Sequence, residues 1–203
     1  MKQSFDYATH NGQDCMELID GQYTVRLFRD ELAENPRMDF DHLGTMVCWH
    51  GRYNLGDVDG LKEYGHADDF LVEHENDIIL PLYLYDHSGL TMNTSGFSCP
   101  WDSGQVGFIY IEREDMLKEF GKKRMSKQLR EKAEEILRSE VQEYDSYLTG
   151  DVFYITVERK DPEWGETEDL DCCGGFLGQE YAEEAAIEML EACKDIPAST
   201  WAD

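Results

Sequence analysis

The chain has 203 residues, with 44 Asp and Glu against 18 Lys and Arg, a formal net charge of −26 at pH 7. Apolar types make up 41% and aromatics 12%, which excludes a disordered acidic tail, since such segments are poor in aromatics. A field of this sign repels DNA, RNA and anionic membrane and attracts basic surfaces, of which nucleic-acid-binding proteins are the commonest owners.

The first fifteen residues hold one Lys and no apolar stretch, so no signal peptide is read there. No apolar run approaches the roughly 20 residues a membrane helix needs. Cys15–Ile19 and Tyr23–Phe28, separated by Asp20, Gly21 and Gln22, read as a hairpin. Thr45–His50 reads as a short strand between Gly44 and Gly51. Asp77–Tyr85 is apolar enough for a central strand, with Pro81 marking a bulge, and Leu90–Asn93 returns from it through the Asp86–Gly89 turn. Gly96, Gly104 and Gly107 with Pro100 specify a loop ahead of the strand Gln105–Ile111. A short helix over Glu114–Phe120 ends at Gly121. Leu129, Ala133, Ile136, Leu137, Val141, Tyr144 and Leu148 then recur at steps of three and four, the face of a long helix with Ser126 as N-cap and Gly150 as stop. Val152–Glu158 is the last strand. Tyr181–Lys194 is a second main helix, with Ala185, Ala186, Met189, Leu190 and Cys193 on its apolar side. This order predicts an α+β fold, a mostly antiparallel sheet packed against two main helices, in a single domain over residues 1–203.

The charge is unevenly placed. Residues 1–112 hold six basic and twenty acidic side chains, a net of −14, and residues 141–203 hold three and seventeen, again −14. Residues 113–140 hold nine basic and seven acidic, a net of +2. The acidic residues are densest in two stretches. One contains Asp57, Asp59, Glu63, Asp68, Asp69, Glu73, Glu75 and Asp77. The other contains Asp161, Glu163, Glu166, Glu168, Asp169 and Asp171, with Trp164 as an aromatic anchor among them. These are the expected partner-binding residues, against the plainer reading of solvated faces. Lys122, Lys123, Arg124, Lys127 and Arg130 form the basic face of a helix spanning 113–140, suited to phosphates, an acidic partner or a second copy in a homodimer.

Chemistry-bearing motifs are sparse. Asp86, His87 and Ser88 are adjacent, whereas a hydrolytic triad needs them to converge in space, so a turn is the better reading. Asp57-Val58-Asp59-Gly60 opens like a calcium loop, but Lys62 stands where that loop needs glycine. The six cysteines read as reduced thiols of a cytoplasmic protein. Cys48, His50, His87 and Cys99 are the candidate metal ligands, although no familiar zinc spacing is present. Cys99 with His87 as its base lacks the positive surroundings a thiolate needs. No catalytic residue and no cofactor is assigned.

Three strings, LGTMVCWHGRYNLGD, LPLYLYDHSGLTMNTSGFSCPWDSGQVGFIYI and EILRSEVQEYDSYLTGDVF, resemble a family of uncharacterised acidic proteins of phages, plasmids and integrated elements, mainly of Firmicutes. The resemblance covers roughly residues 35–175. It implies a mobile-element origin and a kinship of role with anti-CRISPR and antirestriction proteins, which disable host nucleases. Duplex DNA presents one negative charge per roughly 1.7 Å of axis, and dense carboxylates on a folded protein can engage the same basic clefts. The leading expectation is therefore a non-enzymatic inhibitor of a Cas9-type effector or a restriction enzyme, acting in the host cytoplasm and blocking DNA binding or cleavage. It is not expected to bind DNA directly as a monomer. Two alternatives remain open at this level. One is a small metal-binding protein or enzyme with a site around Asp86–Ser88 and Cys99–Gln105. The other is a nucleic-acid-associated accessory protein using the basic helix.

Overall fold

The structure, a computed structural model, describes residues 4–197. In chain order its elements are β1 (Asp6–His10), β2 (Gln13–Asp20), β3 (Tyr23–Arg29), α1 (Pro36–Asp39), β4 (Thr45–Cys48), β5 (Val58–Asp59), α2 (Gly60–Glu63), α3 (Ala67–Glu73) and β6 (Ile78–Asp86). There follow β7 (Leu90–Asn93), β8 (Ser103–Ile111), α4 (Arg113–Glu119), α5 (Lys127–Thr149), β9 (Val152–Lys160), β10 (Thr167–Leu177) and α6 (Gln179–Lys194). They group into two compact units, one drawn from residues 1–33 and 150–203, the other from residues 34–149.

The first unit is an antiparallel sheet in the order β1-β2-β3-β9-β10. Alternation places Val25 and Leu27 of β3 with Phe153, Ile155 and Val157 of β9 in one core, which α6 covers with Ala182, Ala186, Leu190 and Cys193. The two alanines are fully buried, and small side chains let a helix lie close to a sheet. Strand β1 was not expected from the sequence. It turns into β2 at Asn11-Gly12, both with positive φ, 53° and 83°; Asn-Gly is the strongest short hairpin signal. Strand β10 was also unexpected, because acidic residues and glycines are poor strand formers. It pairs with β9 through two register shifts, between Asp169 and Asp171 and between Cys173 and Phe176.

The second unit is a sheet in the order β5-β4-β8-β6-β7, antiparallel except for the β4–β5 pair. Helix α5 covers one face, where Leu129, Ala133, Leu137, Val141 and Tyr144 meet Met46, Leu82, Leu84, Met92 and Ile109. Val47, Tyr110 and Phe108 point to the other face, where they pack with Phe70 of α3, Trp49 and Tyr64. The expected α+β class and both main helices are present, but the strands divide between two sheets, each served by one main helix. The division follows from the β3–β9 pairing, which joins the two ends of the chain and leaves the middle to build its own sheet. Pro81 lies within β6, where β7 does not reach, since β7 pairs only with Tyr83–Asp86. The register shift falls just beyond it, between Leu82 and Tyr83. Gly104 and Gly107 lie inside β8 rather than in a preceding loop. Gly107 faces Cys48, where a Cβ would strike the Val47 carbonyl oxygen and come within 2.9 Å of the Cys48 Cα.

Candidate functional site

The two acidic stretches do not present all their carboxylates. Asp57 accepts Arg37 Nε at 2.9 Å, a second bond from Arg37 Nη2 and Met46 N at 2.7 Å. The same guanidinium reaches Glu140 at 3.1 Å and the Gly44 carbonyl at 2.7 Å, while Glu140 also accepts Leu43 N and Gly44 N. Burial alone would lower the Arg37 pKa; the Asp57 and Glu140 carboxylates outweigh it and hold it above its ordinary value. Asp59 caps α2 through Leu61 N and Lys62 N, and its ion pair with Lys62 at 2.7 Å holds its carboxyl below the usual range. Asp77 binds His74 at 2.8 Å and Arg113 N at 2.9 Å. Asp57, Asp59 and Asp77 are thus ties within the fold. Glu63, Asp68, Asp69, Glu73 and Glu75 are exposed as well and, among the described residues, carry no such tie to another element.

In the first unit, Asp161 is also structural. Its Oδ1 accepts Glu163 N and Trp164 N, each at 2.7 Å, and closes the β9–β10 hairpin. Glu168 pairs with Arg159 at 2.6 Å, and Asp171 accepts the Cys172 N at 2.8 Å. Glu163, Glu166 and Asp169 stand exposed, and Trp164, 73% exposed, projects from the tip of the same hairpin. Counting charge along the chain missed a further set. Helix α6 carries Glu180, Glu184, Glu188 and Glu191 on its exposed side, spaced about one turn apart, or ~5–6 Å. The signal was present as Glu at three- and four-residue steps, complementary to the alanine face.

The five basic residues are not on one helix. Lys127 and Arg130 open α5, but Lys122, Lys123 and Arg124 lie in the loop between α4 and α5. Gly121, with φ 58°, breaks the helix there. All five are exposed.

The fold does bring Asp86–Ser88 next to Cys99–Gln105. The Asp86 N–H donates to the Asp102 carbonyl at 2.8 Å. The Asp102 carboxylate lies 3.4 Å from His87 Nδ1 and accepts the Cys99 thiol at 3.6 Å. Asp86 in turn accepts Arg52 and the Tyr53 hydroxyl, both at 3.3 Å. A nucleophilic thiol needs the imidazole as its direct partner; here a carboxylate stands between the two. Ser88 sits at the hairpin tip with φ 60°, as a turn residue. The candidate metal ligands do not assemble. Cys48 is buried, with its thiol pushed up to about 12 by burial and then by Asp57. His50 stacks on Tyr53 and accepts its N–H at 3.0 Å. Among the described residues no three His, Cys, Asp or Glu side chains form a metal-ligand group, and no helix is long and apolar enough to cross a membrane. Compared with protein-family models, curated proteins and solved structures, the chain matches none.

Proposed function

We propose that the protein is a non-enzymatic acidic inhibitor that docks on the basic nucleic-acid-binding surface of a host defence nuclease, a Cas9-type effector or a restriction enzyme, and blocks its DNA binding or cleavage. The observation that carries this reading is the β9–β10 hairpin. A turn closed by Asp161 holds Trp164 in solvent with Glu163 and Glu166 beside it. An exposed tryptophan is costly in water and is enriched at the energetic centres of interfaces, and flanking carboxylates suit a cationic partner. The glutamates of α6 add an ordered row of charge on the same unit. Likeness of residues 35–175 to acidic mobile-element proteins supports the same role, which would be exercised in the host cytoplasm.

The test is cleavage of target DNA by a purified Cas9-type effector and by a restriction enzyme, each at 50 mM and 300 mM salt with the protein in excess. Inhibition at the lower salt that weakens at the higher is the expected result, because paired surface charges are screened over about 10 Å at 0.1 M. Unchanged DNA binding and cleavage at low salt across both nuclease classes would sink the proposal.

A further inference from the structure

Outside residues 113–132, every described Lys and Arg except Lys160 lies against a carboxylate. Arg26 bridges Glu17 and Glu158, Arg37 bridges Asp57 and Glu140, and Arg52, Lys62, Arg138, Arg159 and Lys194 each have a partner. The corner between α4 and α5 breaks that rule. Arg113, Lys122, Lys123, Arg124 and Arg130 form no side-chain ion pair or hydrogen bond among the described residues, and Lys127 has only an exposed pair with Glu131 at 3.6 Å. Arg113, Lys127 and Arg130 come from two helices to line a cavity of about 490 Å³, together with Asn76, Ser126 and Glu75. We infer that this corner is a second interaction surface, one that takes the phosphodiester backbone of a nucleic acid.

Three cations, Arg113, Lys127 and Arg130, line the cavity with one carboxylate, Glu75, and the exposed Lys122, Lys123 and Arg124 adjoin it in sequence. The carboxylates of α4 and of the first turns of α5, Glu114, Asp115, Glu119 and Glu131, are not in the lining. The local balance therefore favours an anion despite the global −26. No aromatic side chain lines the cavity, and the nearby Phe120 ring lies under Lys132, 4.3 Å from its ammonium. A surface with cations and no stacking platform reads the backbone and not the bases. A second copy would be the competing anion, but it brings a further −26. A twelve-nucleotide strand brings only about 11 phosphate charges, so its long-range repulsion is less than half as large. At 0.1 M salt the Debye length is about 10 Å, which confines repulsion to carboxylates near the corner.

The test is fluorescence anisotropy of a dye-labelled twelve-nucleotide single strand, titrated with the full chain at 0.1 M salt. Saturable binding with Kd about 10⁻⁴ M is expected, in the weak range of non-specific contacts. It should weaken about tenfold at 0.2 M, as about five phosphate contacts on a single strand require. The exposed-loop variant Lys122→Gln/Lys123→Gln/Arg124→Gln should lose at least tenfold in affinity, whereas Glu163→Gln/Glu166→Gln should leave it intact. The proposal is overturned if anisotropy stays flat up to 1 mM protein, or if the loop variant binds like the parent. It is also overturned if sedimentation velocity shows a dimer, or anionic vesicles capture the protein, in either case through the loop cations in place of the strand. None of these measurements contains a nuclease, so their failure is separable from failure of the docking role.

Discussion

Replacing Arg37 by Met should destabilise the 34–149 unit more than any surface charge change. The guanidinium side chain is 1% exposed and the Glu140 side chain 9%. Arg37→Met keeps much of the stem volume but strands two carboxylates. Breaking a buried ion pair from one side costs about 3–5 kcal/mol. The lower end applies, because Leu43 N, Gly44 N and Met46 N still bind the stranded oxygens. For a unit of roughly 116 residues, an unfolding entropy of about 0.24 kcal/mol/K turns 3 kcal/mol into a fall of about 12 °C in Tm. Urea denaturation followed by hydrogen exchange and mass spectrometry would read peptides of α5 and β4 separately from those of β3 and β9. The triple replacement Arg37→Met/Asp57→Asn/Glu140→Gln should recover part of the loss, since no charge is then left unpaired. A loss below 1 kcal/mol in α5 and β4 would refute the reasoning. An equal fall in β3 and β9 would show that the two units unfold as one.

Three further outcomes are expected. The Cys48 thiol is raised from 9.0 to about 12, so the folded chain stays neutral where the unfolded one ionises; that stability is whole below pH 9 and fades as pH rises towards 12. Between pH 8 and 10.5 the parent should lose about 2 kcal/mol more than Cys48→Ala, read from urea midpoints at both pH values. Gly107→Ala should cost about 3 kcal/mol or more, because the added methyl meets backbone in β4 that cannot yield. Gly104→Ala, three residues earlier with nothing within 4 Å of a Cβ, should change the thermal midpoint little. Trp164→Ala should alter stability by less than about 0.5 kcal/mol yet weaken nuclease inhibition tenfold or more, as loss of an interface hot spot does.

Local chemistry made parts of the fold readable. The seven apolar positions from Leu129 to Leu148 recur with helical spacing, and Ser126 Oγ accepts Leu129 N at 3.1 Å as the N-cap. Gly150, with φ 70°, stops the helix. Asn11-Gly12 was an equally local signal for the β1–β2 hairpin, although β1 itself (DYATH) has little strand character. The 167–177 segment gave no such signal. Asp169, Asp171, Gly174 and Gly175 form strand β10 only because β9 offers them a ladder, with shifts absorbing the misfit. Arg37 was equally silent, since its partners lie 20 and 103 positions away in the chain.

The same boundary runs through the candidate site. Total charge, its division into two acidic blocks around a near-neutral segment, the α+β class and the two main helices are properties of composition and near-neighbour periodicity, and they are legible without coordinates. Which carboxylates are free to meet a partner is not. Asp57, Asp77 and Asp161 lie in the densest acidic runs yet are spent on Arg37, on His74 and Arg113 N, and on the hairpin turn. Charge adds along a chain irrespective of folding, whereas pairing and desolvation depend on separation in space, and only the folded chain sets those distances.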